Sequence, residues 1–85
     1  MNTFTYRTHG VCSHAIDITL DDDNVIRKVV YDGGCSGNTQ GVAALVVGMP
    51  AEEAIRRLSG IRCGFKPTSC PDQLATALRE YLAQK

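Results

Sequence analysis

The first third of the chain alternates apolar and polar residues with a period of two. Such a period is typical of half-buried β-strands. The alternating apolar residues of the first two segments are Phe4, Tyr6, Ile16, Ile18 and Leu20. Residues 25–31 are rich in β-branched side chains and follow a turn-forming Asp-Asp-Asp-Asn sequence at 21–24, so they predict a third strand. This part of the chain is therefore predicted to form a three-stranded antiparallel meander.

A helical pattern begins after a glycine-containing loop at 32–38. Residues 40–47 predict a first helix, with Ser36 or Asn38 as the alternative N-caps and Gly48 as its end. Because this helix is apolar on nearly every side, it is expected to be buried.

Two further helices are predicted in the second half. The first begins with Pro50 at its first position, is amphipathic and ends at Gly60, and the second opens at Pro71. The last helix carries one apolar stripe, made of Leu74, Leu78, Tyr81 and Leu82. The order predicts an α+β fold, a single domain over residues 1–85 with three helices packed on one face of the three-stranded antiparallel meander.

Composition narrows the classes of function. The chain has 85 residues, with nine Lys and Arg against nine Asp and Glu and no basic run, which argues against binding to nucleic acid or to a membrane surface. The sequence has no signal peptide pattern and no apolar run near the ~20 residues of a membrane span, so a cytoplasmic location is expected. A chain of this size buries only about 60% of its unfolded surface, and such a small core often needs a cross-link.

The cysteines are the most informative residues. They are Cys12, Cys35, Cys63 and Cys70. Thiols stay reduced in the cytosol, and these four lie in predicted loops or at element boundaries, so metal ligation is favoured over a disulfide framework. Their spacing contains no CxxC pair, so a redox pair or inert cysteines remain alternatives.

The predicted topology brings cysteines toward one end of the sheet. The turn after the first strand and the end of the third lie at the same end, which places Cys12 near Cys35. Cys35 and Cys70 each precede a helix, and a helix N-terminus favours a thiolate, the form that binds metals. Either Cys70 or Ser69 is expected to be the N-cap of the last helix. The loop that carries Cys63 could reach the same edge.

Two histidines flank the first cysteine. His14 lies two residues from Cys12 and is a candidate reserve ligand or a neighbour of the site, whereas His9 is expected to be an ordinary turn residue. No acid–base pair and no Ser/His/Asp set stands out, so the chain is not expected to be an enzyme on its own.

The pentapeptide at 68–72 reads Thr-Ser-Cys-Pro-Asp, and the chain resembles the TSCPD domain family, which is named for it. The sequences Gly-Cys-Ser-Gly-Asn at 34–38 and Arg-Cys-Gly at 62–64 are similar to the rest of that family's pattern. The family includes small stand-alone proteins that resemble the C-terminal region of adenosylcobalamin-dependent ribonucleotide reductases. This resemblance implies four family cysteines at the four positions found here and a reductase as partner, but not radical chemistry, for which the chain is too small.

A looser resemblance is to U-type iron–sulfur cluster scaffolds, which also combine a three-stranded meander with helices and three cysteines. Cys12, Cys35 and Cys70 match that arrangement, while His14 stands where the scaffolds have Asp and Ser69 where they have His. The resemblance implies an iron–sulfur cluster as the alternative cofactor and a cysteine desulfurase as partner. A fourth thiolate, from Cys63, favours a held metal over a transferred one.

The sequence therefore predicts a small cysteine-rich domain that binds one metal ion, zinc first, in a structural or partner-recognition role. The alternatives are an iron–sulfur or sulfur carrier and a thiol–disulfide relay built on Cys63 and Cys70.

Overall fold

The computed structural model describes residues 1–11, 13–33, 36–62 and 64–84. One open antiparallel sheet in the order β1-β2-β3 is followed by three helices. The elements are β1 Asn2–Arg7, β2 Ser13–Leu20, β3 Ile26–Gly33, α1 Ser36–Val46, α2 Ala51–Leu58 and α3 Cys70–Ala83. The predicted α+β fold, with its meander and three helices, is confirmed.

The pairing of β2 with β3 contains two extra residues. Ser13 pairs with Gly33 and Ala15 with Asp32, so His14 is one residue in excess on β2. Nearer the turn, β3 has the excess residue, Arg27. Side chains alternate between the two faces of a strand. Residues beyond a bulge therefore lie on the face opposite to the one that unbroken alternation would assign to them. The bulge at His14 thus places Ser13 on the buried face of the sheet.

The core lies between that face and the helices. The apolar residues of β2 and β3 form one side of the core. On the other side, α2 contributes alanines and α3 contributes leucines and an alanine. Its fully buried large residues are Ile16, Ile18, Leu20, Ile26, Leu74 and Leu78. The ring of Phe4 stacks on Tyr81 with 4.3 Å between centroids, which attaches β1 to α3. The predicted apolar stripe of α3 is therefore confirmed.

The first helix differs from its prediction in position and in burial. It begins at Ser36 rather than at residue 40, so the two predicted caps, Ser36 and Asn38, both lie within the helix. The expectation that α1 is buried is wrong, because Leu45 is 77% exposed and Val47 just beyond the helix is 48% exposed. The helix packs mainly on β3, so only the side that carries Val46 is covered within the described chain.

The other two helices begin close to the predicted residues. Pro50 is the N-cap of α2 rather than its first helical residue, and Gly60, with a φ of +84°, follows its last turn as predicted. The helix α3 begins at Cys70 because Ser69 is the N-cap, which decides between the two caps that the sequence left open. Among the helices of the described residues, none combines the length and apolar character needed to cross a membrane.

Candidate functional site

Of the four cysteines, the described residues include Cys70 alone. Cys12, Cys35 and Cys63 lie outside them, so their predicted role as ligands stays a prediction. Cys70 has a free thiol, is 6% exposed and occupies the first position of α3. It is therefore a buried thiol in the first turn of a helix.

Ser13 is the polar neighbour of this thiol. Its Oγ lies 3.3 Å from Cys70 Sγ, and the residue is 3% exposed. The bulge at His14 is what brings Ser13 to this face of the sheet. The hydroxyl can donate to a thiolate at Cys70, as groups around metal ligands commonly do.

Tyr31 fixes the backbone at the same point. Its hydroxyl donates a 2.9 Å hydrogen bond to the carbonyl oxygen of Cys70. Burial raises the pKa of Tyr31, and negative charge at Cys70 raises it further. The phenol thus stays protonated, and keeps its bond to the first turn of α3, throughout the physiological range.

Residues that flank the other cysteines meet around this helix end. Ser13, which follows Cys12, pairs with Gly33, which stands two residues before Cys35. On the other side, the Ser69 hydroxyl donates a 2.6 Å bond to the carbonyl oxygen of Ile61, two residues before Cys63. The β1–β2 connection, the end of β3 and the α2–α3 connection therefore all approach the N-terminus of α3.

Four of the five residues at 68–72 make hydrogen bonds at this helix end. Ser69 accepts from the backbone N–H of Asp72 at 3.1 Å, which satisfies one of the free donors of the first turn. The Asp72 carboxylate accepts from the Thr68 hydroxyl and, at 2.7 Å, from the backbone N–H of Gly60. The remaining residue, Pro71, is buried in the first turn, where its missing N–H leaves no donor unsatisfied.

The family of the chain follows from this same segment and its surroundings. The model of the TSCPD domain matches residues 3–82. The chain belongs to the TSCPD domain family. No curated protein and no solved structure matches it.

A second set of hydrogen bonds ties the β1–β2 connection of this TSCPD domain to α3. Gln73 accepts from the backbone N–H of His9 at 2.9 Å and donates to the Thr68 hydroxyl at 3.1 Å. Gly10 has a φ of +73°, and a Cβ there would lie 3.5 Å from the methyl group of Thr68. The sequence motif therefore holds two loops against one helix end.

Sequence reasoning missed Ser13 and Gln73. Both are buried polar residues, at 3% and 7% exposure, and both lie beside the motif. No periodic signal marks Ser13, because alternation along β2 assigns it to the other face unless the bulge is known. No local signal marks Gln73 either, because the backbone N–H that it binds belongs to His9, 64 positions away in the sequence.

The histidines of the TSCPD domain are both exposed. His14 forms the β2 bulge, and its backbone carbonyl accepts from the N–H of Thr8 at 3.1 Å. The ring of His9 contacts Tyr6 edge-on. Within the described residues, no group of three or more His, Cys, Asp and Glu side chains could hold a metal ion. His14 as a reserve ligand stays a prediction.

Proposed function

We propose that this TSCPD domain binds one zinc ion through Cys12, Cys35, Cys63 and Cys70, with His14 as the reserve ligand. The ion has a structural role and holds the surface around it in a shape that a partner can recognise. Four thiolates are a common ligand set for structural zinc.

The observation that carries the proposal is the convergence of flanking residues at one helix end. Gly33 pairs with Ser13, Ser13 lies against Cys70, and Ile61 is bound to Ser69. These contacts bring the neighbours of all four cysteines to the N-terminus of α3 although 58 positions separate Cys12 from Cys70 in the sequence.

The surroundings of Cys70 fit a metal-bound thiolate. The thiol is buried, the N–H groups of the first turn of α3 lie beside it, and the Ser13 hydroxyl is a ready donor. A bound zinc ion would keep the thiols deprotonated and would cross-link loops that the small core stabilises weakly. Removal of the ion should therefore destabilise the fold.

Metal analysis tests the proposal directly. The full chain is purified anaerobically without chelator, and its zinc, iron, acid-labile sulfide and visible absorption are measured. About one zinc per chain without visible colour is the expected result for a closed four-thiolate site. If iron and acid-labile sulfide are found instead, the bound cofactor is an iron–sulfur cluster and not zinc. Protein without metal that also binds no added zinc would overturn it.

Single substitutions assign the ligands. Cys70→Ser should lose both zinc and stability, and Cys12→Ser, Cys35→Ser and Cys63→Ser should each do the same. Ser13→Ala is the matched control, because it should keep one zinc per chain and weaken its affinity by about 10–100-fold.

The same series of variants tests whether His14 is a ligand and whether the cysteines act in redox exchange instead of binding metal. His14→Asn should bind zinc less tightly than His9→Asn only if His14 takes a ligand position. A Cys70→Ser variant that keeps its stability and loses only thiol exchange would favour a thiol–disulfide relay instead.

A further inference from the structure

Positive charge is concentrated around the connection between α2 and α3. Residues 54–71 contain four basic residues, Arg56, Arg57, Arg62 and Lys66, and no acidic one. The rest of the chain holds five basic and nine acidic residues. A chain of zero net charge is thus divided into a positive segment and a negative remainder.

Two of these four basic residues form no ion pair with any residue that the structure describes. Arg56 and Arg57 both contact the carboxylate of Glu53. Arg62 and Lys66 are exposed, and neither forms an ion pair within the part of the chain that the structure describes. These two side chains are available to the carboxylates of another molecule.

Two apolar side chains stand beside the unpaired charges. Phe65 is fully exposed, and Ile61 is 43% exposed. The chain has one other phenylalanine, Phe4, which stacks on Tyr81 in the fold. An aromatic ring left in water is a common feature of interaction sites, where aromatic and arginine side chains supply much of the binding energy.

The connection is attached to the fold at both ends. Gly60 donates to the carboxylate of Asp72 at 2.7 Å, and the carbonyl oxygen of Ile61 accepts from Ser69 at 2.6 Å. The hydroxyl of Thr68 donates to the same carboxylate. The described residues at the two ends of the connection are therefore held against α3, which limits how far the exposed residues next to them can move and reduces the entropy that binding would cost.

We propose that the described residues of the α2–α3 loop, 60–62 and 64–67, dock an acidic segment of a partner protein that carries one apolar side chain. Phe65 contacts the apolar side chain, and Arg62 and Lys66 bind flanking carboxylates. The proposal goes beyond zinc binding and uses no atom of Cys63. A protein segment fits better than a nucleic acid, because successive bases need several stacking rings and the chain has no net positive charge.

A peptide binding assay on the full chain tests the proposal. The probes are labelled twelve-residue peptides of Glu and Asp with one central Phe, Leu or Ala, and matched peptides with Lys in place of the acids. Fluorescence anisotropy should show the acidic Phe and Leu peptides binding at least tenfold more tightly than the Ala peptide. The Lys peptides should not bind, and salt should weaken the complexes.

Matched variants locate the site. Phe65→Ala should weaken peptide binding at least tenfold, and Arg62→Glu should weaken it further. Leu45→Ala, which removes another exposed apolar side chain, from α1, should leave it unchanged. Equal affinities for Phe65→Ala and Leu45→Ala would overturn the proposal. So would tighter binding of an oligothymidylate than of every acidic peptide, which would assign the loop to nucleic acid.

Discussion

Replacing Asp72 by alanine should detach the α2–α3 loop from α3 and destabilise the domain. The carboxylate accepts two hydrogen bonds, from the Thr68 hydroxyl and the Gly60 N–H, and it lies in the first turn of the helix. Hydrogen bonds to charged groups contribute about 1.5–3 kcal/mol each when buried. Water can replace the bond to Gly60, which is exposed, so that bond is assigned only about 0.5–1 kcal/mol.

The expected loss of stability is the sum of this bond and two further contributions. The half-buried bond to Thr68 contributes about 1–2 kcal/mol, and the favourable position of the charge at the helix N-terminus about 0.3–1 kcal/mol. We expect Asp72→Ala to lower the free energy of unfolding by about 2–4 kcal/mol. In a domain of this size each 1 kcal/mol lowers Tm by about 4–8 °C, so the change is easily measured.

Urea unfolding with a matched control tests this expectation. Asp23→Ala removes the same charge from an exposed turn and should change stability by no more than about 0.5 kcal/mol. Trypsin cleavage after Arg62, well below either melting temperature, should be faster in Asp72→Ala than in Asp23→Ala, because the loop opens locally. If the two variants unfold within about 0.5 kcal/mol of each other, the carboxylate does not hold the loop as described.

Three further outcomes follow from the packing and the charges. Leu78→Ala removes a fully buried side chain and should cost about 2–5 kcal/mol in urea unfolding, whereas a cost below 1 kcal/mol would contradict its place in the core. Tyr31→Phe should lower stability by about 0.5–1.5 kcal/mol, and it should also reduce the loss of stability above pH 10, because the native phenol has the raised pKa and the unfolded chain ionises first. Arg56 and Arg57 lower the pKa of Glu53 from 4.5 to about 2, so its stabilising effect is present above pH 4.5 and is lost as the pH falls toward 2. Acid titration of stability should therefore be less steep in that range for Glu53→Gln, and an unchanged slope would show that the pairs do not persist in solution.

Local sequence signals predicted most of the fold because each strand and helix has its own short-range cause. Alternation in β2 and the stripe of α3 follow from burial of one face, and both are present. The burial of α1 could not be predicted, since an apolar sequence says nothing of how much surface the neighbouring elements have available. Leu45 is exposed because α1 packs mainly against β3.

The candidate site was predictable only in part. The motif pointed to Cys70 and to a capped helix start, which the structure contains. The roles of Ser13 and Gln73 depend on contacts across 57 and 64 positions of sequence, and no local pattern encodes such contacts. Between Ser69 and Cys70 as N-cap, the sequence offered equivalent patterns, and the hydrogen bond from Asp72 to Ser69 distinguishes them.

The extra residue at His14 means that the face on which Ser13 lies cannot be read by counting residues along β2. Deleting that residue would leave Ser13 opposite Gly33 and Ala15 opposite Asp32 in unbroken pairing, and because Ser13 would then directly precede Ala15 on the open face, it would still point toward Cys70. Substituting His14 would leave the spacing, and so the direction of Ser13, as it is. Within the TSCPD family, a relative that lacks this residue can therefore keep the same side chain against the thiol, and an alignment that places the gap elsewhere in β2 would pair residues from opposite faces.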